Sequence, residues 1–145
     1  MTKIKYHIDL DNFPEIKVSE ENMLLFYFLS TFRETQDILK ILNILEKVKG
    51  GNFVHEPTDM YDYSTTASGM IILGNDVEFI NPDDENDKIN LSIDEFQKIT
   101  EDWAVSVNNY KIKHKDNYHI DIQKRIEKGN ELLEEYLQKN RRKLE

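Results

Sequence analysis

The sequence predicts an α+β fold in a single domain spanning residues 1–145, with N-terminal helices, a small antiparallel sheet built on a hairpin at 69–80, and two C-terminal helices. Three observations carry that expectation. Apolar residues recur at helical spacing over 38–48, 96–110 and 122–137, so amphipathic helices account for much of the chain. The runs GMIILG and DVEFI flank a Gly74-Asn75 step, the pattern of a β-hairpin. No repeat, linker or low-complexity tract divides the 145 residues, a length that buries a real core unaided by disulfides or metals.

Taken in order, residues 4–10 (IKYHIDL) alternate apolar and polar through Ile4, Tyr6, Ile8 and Leu10, as a half-buried strand does. Asn12, Phe13 and Pro14 break it. Ser19 is placed to cap a helix whose first turn carries Glu20 and Glu21, charges favoured at the positive end of the helix dipole. Residues 20–32 are apolar nearly all round, so this helix is expected at the centre of the fold. The run 23–32 also suits a twofold interface, which leaves homo-oligomerisation open. Ile38, Ile41, Leu42, Leu45 and Val48 form one helical face that ends at Gly50 and Gly51. Whether 20–49 is one bent helix or two packed ones is not decided by the sequence.

Residues 52–66 are rich in turn formers and read as irregular chain. After the hairpin, Asn81 and Pro82 stop the second strand, 83–88 is expected as a polar loop, and 88–91 as a brief return strand. Ser92 and Glu95 then have the S-x-x-E spacing of a capping box, with Leu91 and Phe96 placed as its hydrophobic staple. Ile99, Trp103, Val107 and Tyr110 continue that helix face. Trp103 therefore belongs to the core, and Asp94, Glu101 and Asp102 are expected to point outward. From Asp121 a polar helix carries Ile122, Ile126, Leu133 and Leu137 on one stripe. Gly129 weakens it by about 1 kcal/mol relative to alanine, while Lys139, Arg141, Arg142 and Lys143 suit the negative end of its dipole.

Charge is the chain's most informative asymmetry. Residues 53–103 hold 13 Asp and Glu against Lys88 and Lys98 alone, a local charge of −11 in a chain of −9. A concentrated field of one sign speeds encounter with a partner of the other sign and repels nucleic acid and anionic membrane. The expected partner is thus a basic protein, with no nucleic-acid and no membrane role. Arg141, Arg142 and Lys143 form the one basic cluster, better explained by dipole compensation and solubility.

Catalytic and cofactor signatures are missing from the sequence, so no enzyme, no cofactor and no metal site is expected. There are no cysteines to supply thiolate chemistry. His7, His55, His114 and His119 are scattered without the spacing of a zinc site. Asp83, Glu85 and Asp87 alternate as calcium ligands do, but Lys88 and Asp94 stand where an EF-hand loop needs its glycine and glutamate. Ser64, Thr65 and Thr66 lack a nucleophile elbow, and Gly50 with Gly51 lacks a phosphate-loop frame. The longest apolar run, 23–29, is about a third of a membrane span, and the first residues lack a signal-peptide pattern. A cytoplasmic protein is expected.

Two groups of residues are the candidate partner-binding set: Asp59, Tyr61, Asp62 and Tyr63, then Asp83, Asp84, Glu85 and Asp87. Tyrosines beside carboxylates suit an interface, because the rings supply buried area while the acids meet Lys and Arg. Over 69–107 the order GMIILGNDVEFINPDDE then INLSIDEFQKITEDWAVSV, with Leu91, Ser92, Glu95, Phe96 and Trp103, resembles small bacterial immunity proteins of polymorphic or contact-dependent toxin systems. That resemblance implies a role and transfers no binding residues. Joined to the acidic field, it leads to an expected 1:1 complex with a basic toxin domain, a nuclease, blocked by charge-complementary occlusion. The alternative is a structural or regulatory adaptor without a toxin partner.

Overall fold

A computed structural model describes residues 3–50, 61–62, 69–73 and 75–144 of the chain. The N-terminal alternation forms β1 (Tyr6–Asp9), which turns back at once into β2 (Glu15–Val18) in an antiparallel pair. Asn12, Phe13 and Pro14 therefore lie in a hairpin connection. Tyr6 faces Val18 and Ile8 faces Ile16 across the pair, so one face carries the apolar residues that join the core. Ser19 does not cap a backbone N–H. Its hydroxyl accepts a hydrogen bond from Asn22 Nδ2 at 3.0 Å, beside a 3-10 turn at Glu20–Asn22 that leads into α1.

Residues 20–49 resolve into two helices, α1 (Met23–Ser30) and α2 (Thr35–Lys49), separated by 31–34. Leu24, Leu25, Phe28 and Leu29 of α1 are buried, as its apolar composition demands, while Tyr27 is exposed. The remaining strands are β3 (Tyr61–Asp62), β4 (Gly69–Leu73), β5 (Asp76–Asn81) and β6 (Asp84–Ser92), antiparallel in that spatial order. The hairpin expected at 69–80 is the β4 and β5 pair, with Leu73 opposite Asp76.

Register explains how the sheet meets the helices. Met70, Phe79 and Ile89 stand opposite one another, as do Ile72, Val77 and Leu91. Five of these six side chains are buried and Ile89 is half-buried, so they form the inner face. Phe28 of α1, Phe79 of β5 and Phe96 of the next helix meet with ring centroids 5.2–6.1 Å apart, which fixes sheet and helices together.

That helix, α3 (Ile93–Lys113), starts on one half of its capping box and on its staple: Ser92 Oγ accepts the Glu95 N–H at 3.1 Å and Leu91 and Phe96 are both buried, while the Glu95 carboxylate turns to the Ile4 N–H. Ile99, Trp103 and Val107 are buried along its stripe, and Trp103 Nε1 donates to the Phe32 carbonyl at 3.0 Å. α4 (Ile120–Leu144) packs on α2 and α3 through Ile126, Leu133 and Tyr136. A Cβ on Gly129 would lie 3.2 Å from Thr35 Cβ, so the glycine lets α4 approach the start of α2 closely. Behind that contact, Thr35 Oγ1 donates to Asn108 Oδ1 (3.2 Å) and Asn108 Nδ2 to Asn130 Oδ1 (2.8 Å), tying the three helices.

Candidate partner-binding surface

The acidic residues of 53–103 do not form one uniform field; the fold sorts them. Asp94 pairs with Lys49 at 2.7 Å. Glu95 Oε2 accepts the Ile4 N–H at 2.6 Å, and Asp102 accepts the Tyr6 hydroxyl, so both hold the N-terminal segment and β1 against α3. Burial of the Tyr6 hydroxyl, then its hydrogen bond to Asp102 and that carboxylate's charge, raise the phenol above its ordinary range.

Glu101 corrects the expectation that Asp94, Glu101 and Asp102 all point outward. It is half-buried and accepts the Tyr136 hydroxyl at 3.0 Å. Tyr136 in turn accepts from Gln97 Nε2 at 3.0 Å, which also donates to Glu46 Oε1 at 2.6 Å, while Gln97 Oε1 accepts from Lys49 Nζ at 2.7 Å. The amide of buried Gln97 is thereby satisfied on both ends, as a polar group at 6% exposure requires. Burial pushes the Glu101 carboxyl up, and the Glu46 and Asp102 charges add to it, against the Tyr136 hydrogen bond and Lys49. Burial also raises the Tyr136 phenol. These groups form a tie between α2, α3 and α4 and are spoken for within the fold.

Asp83, Asp84, Glu85 and Asp87 remain. The sequence predicts a polar loop for them; instead the chain turns at Pro82 and Asp83, pairs Asn81 with Asp84, and continues as β6. Pro82 presets the backbone for the first corner of such a turn. Between the pairs Ile80 with Lys88 and Asn81 with Asp84, residues 85–87 have no partner on β5, so the acidic stretch bulges from the ladder. The projection is ordered from within. Asp83 N donates to Asn81 Oδ1 (2.9 Å), Asn86 N to Asp84 Oδ1 (3.0 Å), and Asn81 Nδ2 to Asp87 Oδ2 (3.0 Å).

All four carboxylates are exposed, and among the described residues none lies in an ion pair. Asp76 and Glu78 share the face of β5 opposite to buried Val77 and Phe79, which extends the acidic surface along the outer side of the sheet. The second candidate group is only partly within the described residues. Tyr61 and Asp62 form β3 and pair with Ile72 and Ile71 of β4, whereas Asp59 and Tyr63 lie outside the described residues. Asp76 and Glu78 are absent from the candidates drawn from the sequence, although strand alternation around Val77 and Phe79 marks them.

Among the described residues no helix is long and apolar enough to cross a membrane, and no group of three or more His, Asp or Glu is arranged to hold a metal ion. No family model matches the chain, and neither the curated proteins nor the solved structures yield a match.

Proposed function

We propose that this protein is an acidic, immunity-type inhibitor that binds and neutralises a basic toxin domain, a nuclease, in a 1:1 complex in the cytoplasm. The observation that carries the reading is the projection at 83–87, four exposed carboxylates without a cation in an ion pair among the described residues. Nearby acids on α3 are engaged by Lys49, Ile4, Tyr6 and Tyr136. Among the acids of 53–103 whose side chains are described, those outside such contacts are Asp76 and Glu78 on β5 and the projection at 83–87. A nuclease must present cationic groups to hold phosphates, and an ordered carboxylate array offers such groups a competing set of anions. Charges of this kind act mainly on the rate of encounter and the choice of partner.

The test is a pull-down from the source organism with this protein as bait, washed at low and then at high salt. Recovery of one basic domain held at low salt and released at high salt, whose nuclease activity falls to zero at an equimolar ratio, supports the proposal. An acidic partner, or a basic partner whose activity is unaffected, refutes inhibition by charge and returns the protein to the class of adaptors.

A further inference from the structure

The edge of β6 adds a second property to the acidic projection. β6 ends the strand order, and among the described residues no strand pairs with its outer edge. Residues 84–88 and 90 are all exposed, on both faces of the strand, so the edge is uncovered there. An uncovered antiparallel edge presents unpaired N–H and C=O groups, a template for another extended chain. Residues 88–92 run in unbroken register against 76–80, which gives five residues of regular edge, close to the ordinary length of a strand.

Charge selects the occupant. A second copy of this chain paired antiparallel along 88–92 would carry its Asp84, Glu85 and Asp87 past Ser92 toward Asp94 and Glu95, charges of the same sign that oppose self-pairing. A strand bearing lysine or arginine meets the same carboxylates favourably. The bulge at 85–87 turns Glu85 and Asp87 out of the ladder, and Asp84 pairs with Asn81 at its foot, so all three exposed carboxylates lie beyond the end of the regular edge.

We propose that β6 docks an extended, basic segment of a partner protein as an added strand, hydrogen-bonded along 88–92 with its basic side chains against Asp84, Glu85 and Asp87. This inference rests on the acidic-surface reading above and adds to it the mode of binding. Main-chain hydrogen bonds give such a complex its geometry, and the carboxylates give it selectivity.

The probes are an alternating lysine and valine octapeptide and the same peptide methylated at every backbone nitrogen, which keeps the charge and removes the donors. Binding to isotopically labelled protein is followed through backbone amide signals and hydrogen exchange. The expected result is that the unmodified peptide shifts the amides of 88–92 and slows their exchange, while the methylated peptide binds at least tenfold more weakly. Replacing Asp84 and Asp87 by Asn and Glu85 by Gln, all exposed, is expected to weaken the unmodified peptide to a similar degree. Equal binding of the two peptides, or shifts confined to other elements, overturns edge docking and leaves the acidic-surface reading standing. Binding of neither peptide overturns edge docking and counts against that reading too.

Discussion

Replacing Glu95 by alanine removes the tie between the N-terminal segment and α3. Its Oε2 accepts the Ile4 N–H at 2.6 Å across 91 positions of sequence, in a partly buried setting. A hydrogen bond to a charged group contributes about 1.5–3 kcal/mol, and partial exposure places this one near 1.5. Ser92→Ala removes the acceptor of the Glu95 N–H and costs about 1 kcal/mol. In a reciprocal capping box the Glu95 carboxylate would serve the Ser92 N–H, and the two losses would overlap. Here the hydroxyl holds a backbone group that survives Glu95→Ala, while the carboxylate serves Ile4, so the two side chains share no partner and the losses should add to about 2.5 kcal/mol. Each kcal/mol shifts the midpoint of a chain this size by about 2–4 °C, so the double variant should melt about 5–10 °C lower. Trp103, the only tryptophan and 1% exposed, reports urea unfolding of both single variants and the double variant. Amide exchange separates the two roles: Glu95→Ala should speed exchange at Ile4, and Ser92→Ala at Glu95. Losses that overlap by 1 kcal/mol or more, with Ile4 exchange unchanged in Glu95→Ala, would mean that the carboxylate serves the cap and not the N-terminal segment.

Glu101 and Gly129 give two further tests. The Glu101 carboxyl is raised above its ordinary 4.5, so its contribution to stability is complete below that value and is lost as pH rises through the raised one. Gln, which keeps the acceptor for Tyr136, should therefore stabilise the protein at neutral pH and give no gain in acid, and a loss at every pH in melting experiments would contradict this. Valine at Gly129 puts branched carbon where even a single methyl would stand 3.2 Å from Thr35 Cβ. It should cost about 1–3 kcal/mol through overpacking, read as a lower urea midpoint at unchanged slope. Wild-type stability would mean that α4 does not press on α2 there.

What is legible in the sequence is local. α3 can be placed because its cap, its staple and its apolar stripe all lie within residues 91–110. The 69–80 hairpin follows from two β-rich runs and the step between them. β6 is mostly hidden because 84–88 is exposed on both faces and carries no apolar alternation. Its extension comes from the turn at Pro82 and from pairing with β5, not from burial. β2 is hidden for a related reason, since Ile16 is the one buried residue among its four. Glu101 looks like surface charge because its partner Tyr136 is 35 residues away on another helix. Of the candidate site, the exposed acids at 83–87 are legible from charge alone. The assignment of Asp94, Glu95, Glu101 and Asp102 to structural contacts is not, because it depends on Lys49, Ile4, Tyr136 and Tyr6 arriving from other elements.

Binding through the projection itself is tested by calorimetric titration of the captured basic domain against two forms of this protein. One form is wild type; the other has Asp83, Asp84 and Asp87 replaced by Asn and Glu85 by Gln. Exposed charge pairs contribute about 0.2–1 kcal/mol each, so the expected result is a 1:1 complex weakened about tenfold or more in the variant, with a shallower dependence on salt. Equal affinity and equal salt dependence for the two forms would place the interface away from residues 83–87 and end the charge-based reading.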